Sequence, residues 1–410
     1  MINWKLKFLV IWSGQAISVF TSSIMQMALI WHLAIVTSSA LVLSLASIAA
    51  FLPMALLGSF AGAFVDRWNR KLTMICADLF IAAVSATLFI YALFAELPLW
   101  LIFAVLFVRS IGTSFHNPAI SAVTPLIVPE THLTKCAGYT QTVQTSGFIA
   151  GTAVAAVLYP LWGVSGMVLL DVAGAVLASI SVAAVKIPEP DKTEQAVPQE
   201  NKSGLFFEVK EGYRILKNSK GLFALLWIGA AFSVLFSPVN ALFPLMSIDY
   251  FGGTTTHASV AEIAFAVGMT LGGIGLGVWG GFKNRAVTLT ASVALLGMAV
   301  GFSGILPSSG FMVFAACSFF MGFSAPFYTG TQTALMQERI APEYLGRVFG
   351  LYGSIASLAM LLGLAVTGAL ADLTGINLWF LIAGVSICLL AAAMAAIPSV
   401  RNIERERQLR

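Results

Sequence analysis

The chain has 410 residues, of which 59% are hydrophobic and 10% charged, whereas soluble domains carry about 25% charged residues. That balance excludes a water-soluble globular protein and predicts a polytopic membrane protein. The net charge of +4 fits loops that face anionic membrane lipids and gives no reason to expect nucleic acid as a partner.

Apolar runs of about 20 residues read as helices, because backbone polar groups in hydrocarbon must be satisfied within the segment. The short alternating segments of a transmembrane barrel are absent from the sequence. In chain order, spans are expected at 8–35, 40–64, 72–94, 98–124, 138–160, 166–186, 221–249, 259–281, 286–306, 311–336, 348–370 and 377–397. If they alternate in direction, all but one of the 22 Lys and Arg fall in the gaps on one side. The positive-inside rule then places both termini in the cytoplasm. The start of the chain enters its first span with no small-residue cleavage site, so no removable signal peptide is expected. Cys76, Cys136, Cys317 and Cys388 show no metal-like spacing; they read as reduced apolar residues, and neither a metal nor a cofactor is expected.

The first span carries Gln15, Ser22 and Gln26, the fifth Gln141 and Gln144, the seventh Asn240, and the tenth Tyr328 and Gln332. Polar side chains at such depth either line a cavity or bond a neighbouring helix, and both readings stand for each of them.

Between the second and third spans runs Gly62-Ala63-Phe64-Val65-Asp66-Arg67-Trp68-Asn69-Arg70-Lys71. A turn that merely obeys the positive-inside rule accounts for Arg67, Arg70 and Lys71 but leaves Gly62 and Asp66 without a reason. A glycine, then Asp-Arg, then a basic pair resembles the signature loop of the major facilitator superfamily. In that reading Gly62 lets two helices approach, and Asp66 caps a helix or pairs with a base. The basic residues bridge to carboxylates or carbonyls of the partner half and latch the cytoplasmic side. The second-half counterpart, Gly280 to Arg285, lacks the acid.

Arg109 is the one basic residue inside an apolar run, and an ionisable group at that depth is a functional candidate. Arg109 with Gly112 resembles a fourth-span motif of proton-coupled members of the same superfamily. An arginine keeps its proton, so its use is to hold a carboxylate ionised or to be released when that carboxylate is protonated. Asp78 and Asp171 are the first-half acids within reach. Asp78 is expected at the depth of Arg109, as a coupling group or as an ion pair that orients helices. His116, about two turns further along the fourth span, is a secondary cavity candidate, since histidine changes charge in the physiological range. In the fifth span Gly147 and Gly151 are spaced for close helix packing. Glu262, Asp249 and Asp372 fall near outer ends and read as solvated charges.

The only long polar stretch separates the sixth and seventh spans. Its first part is linker-like, and Leu205, Val209, Tyr213 and Leu216 then form an apolar stripe opposed by Lys210, Arg214 and Lys217, predicting an amphipathic helix on the membrane surface. The organisation expected is a six-helix half over 1–186, a linker over 187–220, a second six-helix half over 221–398 and a tail over 399–410. Pro129-Glu130 after the fourth span and Pro342-Glu343 after the tenth begin similar turns, as duplicated halves would.

Residues 3–31, 96–139, 221–226, 240–254 and 341–360 closely resemble macrolide-efflux proteins of the Mef type, drug:proton antiporters with the all-α major facilitator fold. The resemblance implies twelve transmembrane helices in two halves and a monomer in the bacterial cytoplasmic membrane. It also implies a small-molecule drug of macrolide-like character exchanged for protons by alternating access. The better-known antiporters carry Gly-Pro in the fifth span where this chain has Gly151-Thr152. Export of a siderophore or metabolite, or facilitation of a physiological solute, is the alternative. No nucleophile, metal cluster or carboxylate pair suggests an enzyme, and no phosphate-binding loop suggests an ATP-driven pump.

Overall fold

A computed structural model describes residues 4–129, 133–187, 213–340, 342–401 and 403. Its helices are α1 (Trp4–Thr37), α2 (Ala40–Arg67), α3 (Arg70–Ala92), α4 (Leu99–Ile127), a long helical stretch Leu133–Ala184, α7 (Lys220–Leu245), α8 (Thr255–Trp279), α9 (Arg285–Gly304), α10 (Phe311–Arg339), α11 (Pro342–Thr374) and α12 (Ile376–Ala396). A short turn, α13 (Pro398–Arg401), follows.

The 52-residue stretch would be about 78 Å long if straight, more than twice the ~30 Å of bilayer hydrocarbon. It turns back at Gly163, whose φ of 59° and ψ of −166° break the helix in a region that glycine enters without Cβ strain. The limbs 133–162 and 164–184 are therefore two passes, α5 and α6. Eleven helices among the described residues are long and apolar enough to cross a membrane, this stretch counting once, so the twelve expected passes are all present.

The helices fall into two compact units. One holds α1, most of α2 and α3–α6; the other holds α7–α12 together with residues 38–44 at the start of α2. Small residues bring helices together within each. A Cβ at Gly147 would meet Val19 Cγ1 at 2.9 Å, and one at Gly151 would meet Ser23 Cβ at 2.6 Å, so this pair seats α5 on α1. A Cβ at Gly112 would lie 2.6 Å from Ile81 Cγ1, where α4 crosses α3. In the second unit Gly268 and Gly272 of α8 face the backbone of Phe319 and Phe323, while Gly322 of α10 faces the carbonyl of Phe265.

The basic end of each unit is built to one plan. Asn69 caps α3, its Oδ1 accepting from Leu72 N at 3.0 Å; Asn284 caps α9, accepting from Ala286 N at 2.9 Å. The arginine that follows reaches the end of a neighbouring helix. Arg70 Nη1 donates to the Ala122 carbonyl of α4 at 3.1 Å, and Arg285 Nη1 pairs with Glu338 Oε2 of α10 at 2.5 Å. Lys71 Nζ donates to the carbonyls of Ala183 (2.7 Å) and Val185 (2.8 Å), which the end of α6 leaves without helical partners. These bonds of Arg70 and Lys71 lie within their own half. The side chains of Gly62, Asp66 and Arg67 lie outside the described residues. Asn69→Ala and Asn284→Ala should each cost about 1 kcal/mol, the usual effect of losing an N-cap. Thermal unfolding in detergent would read this, and unchanged midpoints in both would mean that the caps contribute nothing.

Asp372, near the end of α11, is exposed as expected but also has a structural use. It accepts from Ser39 Oγ at 2.6 Å, Ala40 N at 2.5 Å and Leu41 N at 3.2 Å, so it caps the first turn of α2. Glu262 is buried in α8 rather than solvated, while Asp249 is exposed as expected. Of the predicted surface helix, Leu205, Val209 and Lys210 lie outside the described residues. Residues 213–218 are helical, burying Leu216 and exposing Tyr213, Arg214 and Lys217.

Candidate functional site

Within the first unit a cavity of about 450 Å³ opens among α1–α6. Its wall includes Gln15, Ser22 and Gln26 of α1, Phe51 of α2, Asp78 of α3, and Arg109 and His116 of α4. Four of the side chains proposed from sequence to line a cavity, Gln15, Ser22, Gln26 and His116, thus share one. The side chains of Gln141 and Gln144 lie outside the described residues. The other three belong to the second unit. Asn240 is exposed, whereas Tyr328 and Gln332 are buried. Tyr328 packs on Phe232 with ring centroids 4.8 Å apart, and Gln332 Oε1 accepts from Tyr352 Oη at 3.1 Å.

The polar groups of the first unit form two layers. In one, Arg109 Nη1 bonds both Asp171 Oδ2 and Ser85 Oγ. Asp171 Oδ1 also accepts from Ser22 Oγ at 2.6 Å, and Ser85 Oγ lies 3.0 Å from Asp171 Oδ2. A carboxylate with an arginine and two hydroxyls around it is a satisfied buried anion. Asp171 is only 1% exposed and sits behind the cavity wall.

The second layer lies two helical turns away. Asp78 Oδ2 accepts from Gln15 Nε2 at 3.3 Å, and Asp78 Oδ1 stands 3.2 Å from His116 Nε2. The imidazole is at ion-pair distance but misaligned for a hydrogen bond, so the attraction depends on its charge. Arg109 therefore pairs with Asp171 and not with Asp78, although the sequence placed Asp78 at its depth. The reason is depth, because seven residues on one helix face span about 10 Å along the axis and place Asp78 two turns from Arg109. Gln15 and Ser22 on α1, Asp78 and Ser85 on α3, and Arg109 and His116 on α4 are each separated by seven residues, two turns of one face. Each helix thus gives one residue to each layer. Ser85 was missed, and its seven-residue offset from Asp78 was the signal that could have found it.

No group of three or more His, Cys, Asp or Glu able to hold a metal occurs among the described residues. The arrangement can hold a fixed ion pair and present a second carboxylate, with the His116 imidazole beside it, to a ligand.

Residues 11–364 match the sequence model of the Major Facilitator Superfamily. The chain is 50% identical over 403 residues to macrolide efflux protein A of Streptococcus pyogenes, covering 98% of each chain. It is 26% identical to the multidrug efflux pump Tap of Mycolicibacterium fortuitum over 89% of each. Among solved structures it resembles the POT family transporter PepTSo, with a TM-score of 0.74 at 11% identity over 98% of this chain and 99% of that one. The nucleoside transporter NupG superposes with a TM-score of 0.71 at 15% identity, over 96% and 99%; at such identities the likeness speaks for the fold. The chain belongs to the Major Facilitator Superfamily, in the same family as the macrolide efflux A proteins.

Proposed function

We propose that this chain exports macrolide-like amphiphilic drugs from the bacterial cytoplasm by exchange for protons. The observation that carries the substrate class is the 50% identity to macrolide efflux protein A along 98% of both chains. A cavity walled by glutamines, hydroxyls, Trp12 and Phe51 suits part of a bulky ligand with both apolar and polar faces. Proton coupling draws support from Arg109, Asp78 and Asp171, ionisable groups held at membrane depth.

The lysine and arginine bias supports a multi-pass protein of the cytoplasmic membrane with both termini inside. In this reading it works as a monomer embedded in membrane lipid. Its two six-helix halves, 1–186 and 221–398, are joined by the 187–220 linker, and 399–410 form a tail. The loop from Gly62 through Asp66 and Arg67 to Lys71 serves as the cytoplasmic latch.

Expression in a pump-deficient bacterium should lower accumulation of a labelled macrolide several-fold, and a protonophore should abolish the difference. Unchanged accumulation, with the protein present in the membrane, would remove the substrate assignment. A difference that survives the protonophore would remove the proton coupling alone.

A further inference from the structure

We propose that Asp78 and His116 form a site for one exchangeable positive charge, at which a proton and a lipophilic organic cation exclude each other. This rests on the export reading and assigns its exchange step to particular atoms. The argument begins with charge. Arg109, Asp78 and His116 are the titratable or charged side chains of the cavity wall among the described residues; α1, α2, α5 and α6 give it neutral groups only. Arg109 cannot lose its proton, and its charge is cancelled by Asp171, which Ser22 and Ser85 also satisfy.

Asp78 is left as the carboxylate that the cavity reaches. Gln15 gives it a hydrogen bond but no charge, so with His116 neutral the wall carries one uncompensated negative charge. Such a charge in a membrane interior is costly, and a single cation removes the cost. The cation is either a proton held by the Asp78–His116 pair or the ammonium group of a bound compound. His116 is seated for this exchange, since its contact with Asp78 is an ion-pair approach without hydrogen-bond alignment. Trp12 and Phe51 line the same wall, and aromatic side chains attract the alkyl groups around a cationic centre.

The step balances without bond chemistry between heavy atoms. A ligand cation binds Asp78, and the pair releases one proton to water. When the ligand leaves, one proton returns. One cation moves outward for each proton inward, so the cycle carries no net charge and draws on the pH gradient rather than on the membrane potential.

The test uses purified full-length protein in weakly buffered detergent solution, with released protons read by a pH indicator and binding by calorimetry. Tetraphenylphosphonium, a permanent lipophilic cation, probes the site without assuming its natural ligand. Erythromycin, whose sugar bears a protonated tertiary amine, probes the export reading. Each should release about one proton when bound. Affinity should fall about tenfold per pH unit on the acid side, as mutual exclusion of one proton and one ligand requires. Erythromycin N-oxide, which keeps the ring without the ammonium, should release none. Asp78→Asn should abolish both proton release and pH dependence. His116→Gln should retain cation binding but change the pH dependence of proton release, and it covers the case in which Asp78→Asn fails to fold. Proton release by tetraphenylphosphonium in Asp78→Asn, or with wild-type pH dependence in His116→Gln, overturns the proposal, as does its absence in the wild type. A wild type that exchanges tetraphenylphosphonium for a proton but binds no erythromycin retains the site and overturns the macrolide reading.

Discussion

Arg109→Ala should destabilise the protein by about 3–5 kcal/mol, the range for removing one partner of a buried ion pair. The substitution strands Asp171, 1% exposed, with only the hydroxyls of Ser22 and Ser85 to satisfy it. Most of the loss should come from that stranded charge rather than from lost attraction. Replacing both partners, as in Arg109→Leu with Asp171→Leu, should therefore recover much of the stability, because apolar pairs often substitute for buried ion pairs at little net cost. Thermal unfolding of the single and double variants gives the coupling energy directly. Arg109→Lys separates packing from coupling. It keeps a positive charge but lacks the planar fork; folded Arg109→Lys protein that binds drug yet cannot drive uphill export would make the guanidinium a positioning group for exchange. Additive single and double effects would instead mean that Arg109 and Asp171 do not support each other.

Gly322→Val should prevent the second half from assembling. At this position a Cβ would sit inside the van der Waals shell of the Phe265 carbonyl oxygen, so the obstruction is backbone and cannot rotate away. Gly268 and Gly272 meet α10 backbone from the other side, and the two helices could accept the new side chain only by separating along their length. The expected cost is at or above ~3 kcal/mol, the upper end of ordinary overpacking. Gly273→Val is the control, because a Cβ there meets nothing within 4 Å. The recovery of monodisperse protein by size-exclusion chromatography compares them, and equal recoveries would show that the α8–α10 approach is not the constraint.

The placing of the helices was legible because hydropathy and basic-residue bias are properties of one dimension, depth along the chain. Each expected span coincides with a helix to within a few residues, and the turn at Gly163 falls in the gap expected between 160 and 166. Lateral partners were less legible. Span boundaries placed to within a few residues made Asp78 and Asp171 both reachable from Arg109, and an axial offset of two turns separates them. That offset is written in the seven-residue spacings of Gln15 and Ser22, Asp78 and Ser85, and Arg109 and His116, which become informative when compared across spans. Gly147 and Gly151 were visible as a packing motif, although that spacing does not name α1 as the helix they meet. The fates of Glu262 and Asp372 were hidden for a different reason. A charge near a span end looks the same in sequence whether it faces water, a helix terminus or a buried neighbour.

Asp372 bears on how the protein is made. The first turn of α2 is among the earliest segments to leave the ribosome, yet the carboxylate that accepts from Ala40 N lies 332 residues downstream. Until α11 has been synthesised and inserted, the amides of Ala40 and Leu41 lack this carboxylate as a partner. The second helix is thus completed by the eleventh, and a nascent chain halted anywhere before residue 372 carries an unfinished turn near its beginning.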